Sequence, residues 1–157
     1  MPPPRRHRKR IRLDAHVYAE MGRICSITIA VQDRCPVFAN PMVAGSAVDV
    51  LRQHASRTGV LVYALCVMPD HVHLVVGPSV GCDRITFVAQ FKNLAQRAAW
   101  SRGVSGRFWQ PSFWDRFLRS EEHLQTHVQY VLDNPVRAGL VTSWRDYPFA
   151  GSLVLQL

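Results

Sequence analysis

Two strand-length apolar segments, residues 60–67 and 71–76, are separated only by Met68-Pro69-Asp70. Three residues containing a proline cannot form a helix or a parallel crossover, which takes a dozen or more, so the two segments must fold back on each other as an antiparallel hairpin. The rest of the chain is arranged around that hairpin. Upstream, ICSITIAV (24–31) alternates with β-branched residues and reads as a strand. Asn40-Pro41 offers a helix cap followed by a first-turn proline, and Val43, Ala47, Val48, Leu51 and Ala55 recur at helical spacing until Gly59.

Downstream, a second helix starts at about Asp83, with Ile85, Val88, Phe91, Leu94, Ala95 and Ala98 on its apolar face, and ends before Gly103. RFWQPSFWDRFLR (107–119) mixes aromatics and arginines in an extended pattern, and a third helix covers residues 121–134, stopped by Pro135. The order β-α-β-β-α-β plus a terminal helix predicts an α+β fold. The expected architecture is a ferredoxin-like antiparallel sheet with helices packed on one face, plus a C-terminal helix.

A chain of 157 residues with 48% hydrophobic content supports one domain with a real core and is not disordered. No apolar run approaches the roughly 20 residues of a membrane-spanning helix, and the basic N-terminus has no apolar stretch behind it, so a cytoplasmic protein is expected. Cys25, Cys35, Cys66 and Cys82 show no C-x-x-C spacing, which argues against structural zinc and a disulfide framework. Charge is uneven. Of 19 basic residues, six (Arg5, Arg6, Arg8, Lys9, Arg10, Arg12) fall in the first twelve positions with no acid among them, leaving 13 against 11 acids elsewhere. Residues 1–17 are therefore expected to be a disordered basic arm that adheres to polyanions, ahead of a single domain over 18–157.

Strand residues two apart share a face, so His71 and His73 present two imidazoles side by side. Two neutral imidazoles at that spacing can chelate one divalent ion and leave positions open for a substrate oxygen; the spacing alone also fits a hydrogen-bonded pair. On the third helix His123, His127, Tyr130 and Asn134 fall in one stripe, beside an apolar stripe of Leu124, Val128, Val131 and Leu132. His123 and His127 read as a solvated edge. Trp109, Phe113, Trp114 and Phe117 interleave with Arg107, Arg116 and Arg119, a mixture that offers base stacking and phosphate contacts together, with Phe113 and Phe117 assigned to the core.

At VMPDHVHLVV and at SFWDRFLRSEEHLQTHVQYVLDNPVRAGLV (112–141) the sequence resembles the REP-associated tyrosine transposases of the single-tyrosine HUH nuclease superfamily, a likeness covering about residues 18–152. The resemblance implies that His71 and His73 are paired metal ligands, that Asn134 supplies a third, that Mg²⁺ or Mn²⁺ is the cofactor and that Tyr130 is the nucleophile. It implies a DNA-cleaving and rejoining enzyme acting on single-stranded or hairpin DNA from imperfect palindromic repeats, as a monomer or homodimer and away from membranes. The residues expected to contact nucleic acid are the six arm cations with Lys92, Arg97, Arg107, Trp109, Arg116, Arg119 and Arg137. Two readings from other classes stand beside it: a catalytically silent DNA-binding protein of the same fold, and a metal-dependent phosphoesterase acting on a small substrate.

Removal of residues 1–12 should weaken DNA binding and flatten its salt dependence, by up to about 0.7 in log–log slope for each single-strand phosphate that the arm no longer neutralises. Titrations at several salt concentrations measure this, and an unchanged slope would show that the arm is a spectator.

Overall fold

The computed structural model describes residues 24–119 and 121–157; the six arm cations lie outside them. The hairpin forms as its punctuation requires. Strand β2 (Val62–Met68) pairs antiparallel with β3 (His71–Val76), Leu65 opposite Leu74 and Met68 opposite His71. Strand β1 (Cys25–Ala30) lies on the other side of β3, and β4 (Trp114–Phe117) lies beyond β1. A two-residue strand, β5 (Ala150–Gly151), closes on β2 and gives the order β4-β1-β3-β2-β5. No period-2 pattern can be read in two residues, so β5 carries no signal in the sequence.

Helix α1 (Pro41–Thr58) starts where its cap predicts: Asn40 Oδ1 accepts from the Met42 N–H at 2.9 Å, and Gly59, at φ 72°, ends the helix by donating to the Ala55 carbonyl. Helix α2 (Arg84–Trp100) is capped by Asp83, which accepts from the Thr86 N–H at 2.9 Å and its hydroxyl at 2.8 Å. The two pack together on one face of the sheet, over Ile27, Ile29, Leu65, Val67, Val72, Leu74 and Val76. His54 of α1 stacks on Phe87 of α2 with ring centroids 4.5 Å apart, and its Nε2–H donates to the Phe87 carbonyl at 3.1 Å. This buried histidine ties the two helices together.

Helix α3 (Glu121–Leu132) takes the opposite face, burying Leu124, Val128, Val131 and Leu132 against Tyr63, Ala64, Cys66 and Val75. Strand β2 is thus covered from both sides, which is why all seven of its residues are buried and its sequence is continuously apolar rather than alternating. Two details differ from the sequence-based expectation. Ile85 is exposed, because it falls about a quarter-turn from the stripe that Phe87, Val88, Phe91, Ala95 and Ala99 bury. Pro135 does more than stop α3: it sits in the first turn of a further short helix, α4 (Asn134–Arg137).

Gly77 follows β3 where a side chain has no room. A Cβ there would stand 2.8 Å from Tyr63 Cε2 and 3.3 Å from Leu61 Cβ, and the Tyr63 ring is fully buried. Gly77→Ala should cost about 1–3 kcal/mol through overpacking, read from urea denaturation. Gly81→Ala, whose added Cβ meets nothing within 4 Å, is the control.

Candidate active site

The site draws on β1, β3 and the α3–α4 corner. Antiparallel pairing sets His73 opposite Thr28 of β1 and opposite Cys66 of β2. Thr28 Oγ1 meets His73 Nδ1 at 3.0 Å, and the Asp70 carboxylate accepts from His71 Nδ1–H at 2.6 Å. Both Nδ1 atoms are thereby engaged by the protein, and the two Nε2 atoms face each other 3.0 Å apart on rings that are nearly perpendicular. When Thr28 Oγ1 accepts from His73 Nδ1–H, as the Asp70 carboxylate does from His71, both Nε2 lone pairs converge on one point. Two donors about 2.1 Å from one ion in cis octahedral positions stand about 3.0 Å apart, so this pair is spaced to share one small divalent cation.

Asp70 is itself held. Arg34 Nε reaches its other oxygen at 3.1 Å, from a turn in which Asp33 and Arg34 both adopt φ 54°, the left-handed region that non-glycine residues seldom enter. Burial, followed by the charges of His71, Arg137 and Arg34, pushes the His73 imidazole from its ordinary 6.5 down to about 3, against a smaller opposing pull from Asp70. His73 is therefore neutral at physiological pH, as a ligand must be. His71 and His73 are both partly buried, the His71 side chain keeping 13% of its exposure.

Tyr130 stands at the end of α3, half exposed, with its ring edge-on to His73 at 6.2 Å between centroids. The Arg137 guanidinium lies 3.9 Å from the centre of the tyrosine ring, and its Nη2 donates to the Tyr130 carbonyl at 3.0 Å. Asn134 is buried one turn on, its Nδ2 donating to the carbonyls of Tyr130 (3.2 Å) and Val131 (3.3 Å). The cause is local. In an unbroken helix the Val131 carbonyl would accept from the N–H of residue 135, which is proline and has none, so the asparagine amide fills the position. Since both bonds use Nδ2, the amide oxygen is the end that could meet a cation. Among the described residues no group of three His, Cys, Asp or Glu side chains is placed to hold a metal, so a third protein donor would have to be of another kind, such as this amide.

The structure thus brings His71, His73, Tyr130 and Asn134 to one corner of the molecule. Other candidates are placed differently. His127 Nδ1–H donates back to the His123 carbonyl at 2.7 Å, along α3. Trp109 packs among Phe38, Phe91 and Phe108, and its indole N–H donates to the Lys92 carbonyl at 2.9 Å. Lys92 donates to the carbonyls of Gln110 (2.7 Å) and Ser112 (3.0 Å), latching the loop before β4. Arg97, Arg107, Arg116, Arg119 and Arg137 are exposed. Phe117, assigned to the core from sequence, is 46% exposed. Thr28, Asp70 and Arg34 went unrecognised in the sequence; only Asp70 carried a local signal, its position directly before His71.

A family model described as "Transposase IS200 like" matches residues 23–134. The chain belongs to the IS200-like transposase family. It is 26% identical over 145 residues to a Haemophilus influenzae protein grouped with the REP-associated tyrosine transposases, covering 82% of this chain and 79% of that one. The REP-associated tyrosine transposase of Escherichia coli K12 is 30% identical over 87 residues, 55% of this chain and 51% of its own. In fold the chain resembles a REP-associated tyrosine transposase solved with a REP hairpin, with a TM-score of 0.66 and 22% identity over 96% of this chain and 82% of that chain. Among the described residues of this IS200-like family member, no helix is long and apolar enough to cross a membrane.

The His73 shift carries a sign. The unfolded chain takes up a proton near pH 6.5 and the folded chain only near 3, so the stability that His73 contributes is complete above about 6.5 and is lost as pH falls toward 3. Burial lowers His54 in the same direction. Urea midpoints measured in chelator across this range should fall with pH, and His73→Gln should reduce the slope; an unaltered slope would mean that His73 is protonated in the folded chain.

Proposed function

We propose that this chain is a metal-dependent single-stranded DNA endonuclease and strand transferase that acts on hairpin-forming repeats through a covalent 5′-phosphotyrosine on Tyr130. The observation that carries this reading is the placement of the Tyr130 ring edge-on to His73, beside two imidazoles whose Nε2 atoms converge. The hairpin substrate is suggested by the fold-related transposase that was solved bound to one.

In this mechanism the Tyr130 hydroxyl attacks the scissile phosphorus. A Tyr Oη–P bond forms as the P–O3′ bond breaks, the phenolic proton leaves, and the departing 3′-oxygen gains a proton to become a free hydroxyl. The phosphodiester is replaced by a phosphotyrosine of similar energy, so a 3′-hydroxyl can reverse the step and rejoin strands. Thr28 and Asp70 fix the two rings so that both Nε2 lone pairs stay aimed at one point. Arg137 steadies the tyrosine ring from its face, and partial exposure lets the phenol meet an incoming strand. Held by His71 and His73 with the Asn134 amide, Mg²⁺ or Mn²⁺ would supply charge neutralisation at the phosphate and at the leaving oxygen. The basic arm and the exposed arginines add sequence-independent attraction to the strand.

Tyr130→Phe removes one oxygen atom and should leave stability within about 0.5 kcal/mol, while abolishing both strand cleavage and the DNA adduct that resists boiling in detergent. His71→Ala should abolish divalent-dependent cleavage and erase any rise in Tm produced by Mn²⁺. Labelled hairpin DNA with Mn²⁺ on a denaturing gel reads both variants. Cleavage by Tyr130→Phe at the parental rate would sink the mechanism, and a parent chain that binds the hairpin without forming an adduct would leave the catalytically silent DNA-binding reading in its place.

A further inference from the structure

Thr28 has two cross-strand partners: His73 on β3 and Trp114 on β4. Residues directly opposite each other in a sheet project from the same face. Trp114, Thr28 and His73 therefore stand in one row across the face that carries Tyr130, and Arg116, Ser26 and Val75 stand in the next row. The alternate residues of β4 go to the other face, where Arg84 of α2 engages both: its Nε lies 2.5 Å from the Asp115 carboxylate and its guanidinium 4.7 Å from the centre of the Phe117 ring. The two exposed aromatics of β4 are thus unlike. Phe117 has a cation on its face, whereas the Trp114 side chain is 62% exposed and makes no ring contact or hydrogen bond among the described residues.

Helix α3 packs over β2 and β3. The β1–β4 part of the same face holds half-buried Ser26 and Thr28 with exposed Trp114 and Arg116. It forms a strip that begins beside the histidines. Trp114 is two inter-strand spacings from His73, about 10 Å, and Arg116 is about 7 Å further along β4.

We propose that this strip binds the unpaired DNA next to the bond under attack, with Trp114 stacking on one base and Arg116 meeting a phosphate. The inference rests on the nuclease reading for its choice of strand, and its chemistry follows from the surface. An aromatic ring flanked by a guanidinium and two hydroxyls is the alternation that a single strand presents in complement, base faces between phosphates. Paired bases hide their faces, so a stacking tryptophan selects single-stranded flank over duplex. A second copy of the chain would be held by an apolar patch, which this polar strip does not offer, or along the outer backbone edge of β4, which lies beside the strip and not on its face.

The test compares two fluorescent DNAs, a blunt hairpin and the same hairpin with a single-stranded flank, binding to the parent chain, Trp114→Ala and Trp114→Phe. Trp114→Ala should weaken binding of the flanked hairpin roughly 5- to 150-fold, the range expected when one base stack is removed. Trp114→Phe should keep most of the affinity, and the blunt hairpin should bind all three equally. Equal affinity of parent and Trp114→Ala for the flanked DNA overturns the inference. So does an equal loss for both DNAs, which would assign the tryptophan to folding or general binding, and so does a dimer in sedimentation that Trp114→Ala dissociates with no effect on DNA. A mapping that needs no variant is photocrosslinking of the parent chain to flanks carrying 5-iodouracil: a crosslink at Trp114 supports the strip, and crosslinks confined elsewhere refute it. Adduct formation by the parent is scored in parallel. A chain that makes no adduct but shows the Trp114-dependent flank preference keeps the strand-binding strip and loses the nuclease reading.

Discussion

The antiparallel pairing of β1 with β3 is the constraint on which the candidate site depends. It puts Thr28 opposite His73, engages His73 Nδ1 and leaves its Nε2 toward His71. Because side chains alternate strictly, a slip of one residue would turn Thr28 into one core and drive Ile27 or Ile29 toward the histidines. Such a slip is prevented from both sides, since Ile27, Ile29, Val72 and Leu74 are packed under α1 and α2 while Val75 and Cys66 are packed under α3. The same packing buries the Cys66 thiol and raises it to about 12, so the residue opposite His73 on β2 stays a neutral, inert wall. Hydrophobic burial that has no part in the chemistry thereby fixes polar atoms to within a hydrogen bond.

Much of this was legible in the chain because it is local. The Pro-Asp turn, the Asn40 cap and the i, i+2 histidines each lie within a few residues and obey one geometric rule. The relation of Tyr130 to Asn134, one helical turn, is of the same kind. Thr28 and His73, by contrast, are joined across 45 positions, and only the strand register relates them. The aromatics of 107–119 could not be sorted for a related reason. Alternation gives the face of a β4 residue but not its place in the sheet, so Phe117 was given to the core although it lies on the edge strand, and Trp109, in the irregular stretch before β4, was read as available although it fills a space beside Phe38.

The cations were distributed by the fold in ways that composition does not reveal. Lys92 is spent on loop carbonyls, and Arg84 is spent on Asp115 and Phe117. Arg34 and Arg137, far apart in sequence, approach the histidine–tyrosine corner from two sides, one through Asp70 and the other across a tyrosine ring. Excess positive charge in an IS200-like family member is thus partly scaffold, and only a fraction of it is available to a phosphate backbone.

Pro135 bears on how this corner tolerates change over evolutionary time. The orientation of the Asn134 amide is inherited from a missing donor on the next residue rather than from a shaped pocket around it. Packing can drift as neighbouring side chains are exchanged, but an imino acid either is present or is not. The spatial relation between the tyrosine and the amide is therefore buffered against gradual substitution on the surrounding surface, and it is exposed to abrupt loss at a single codon.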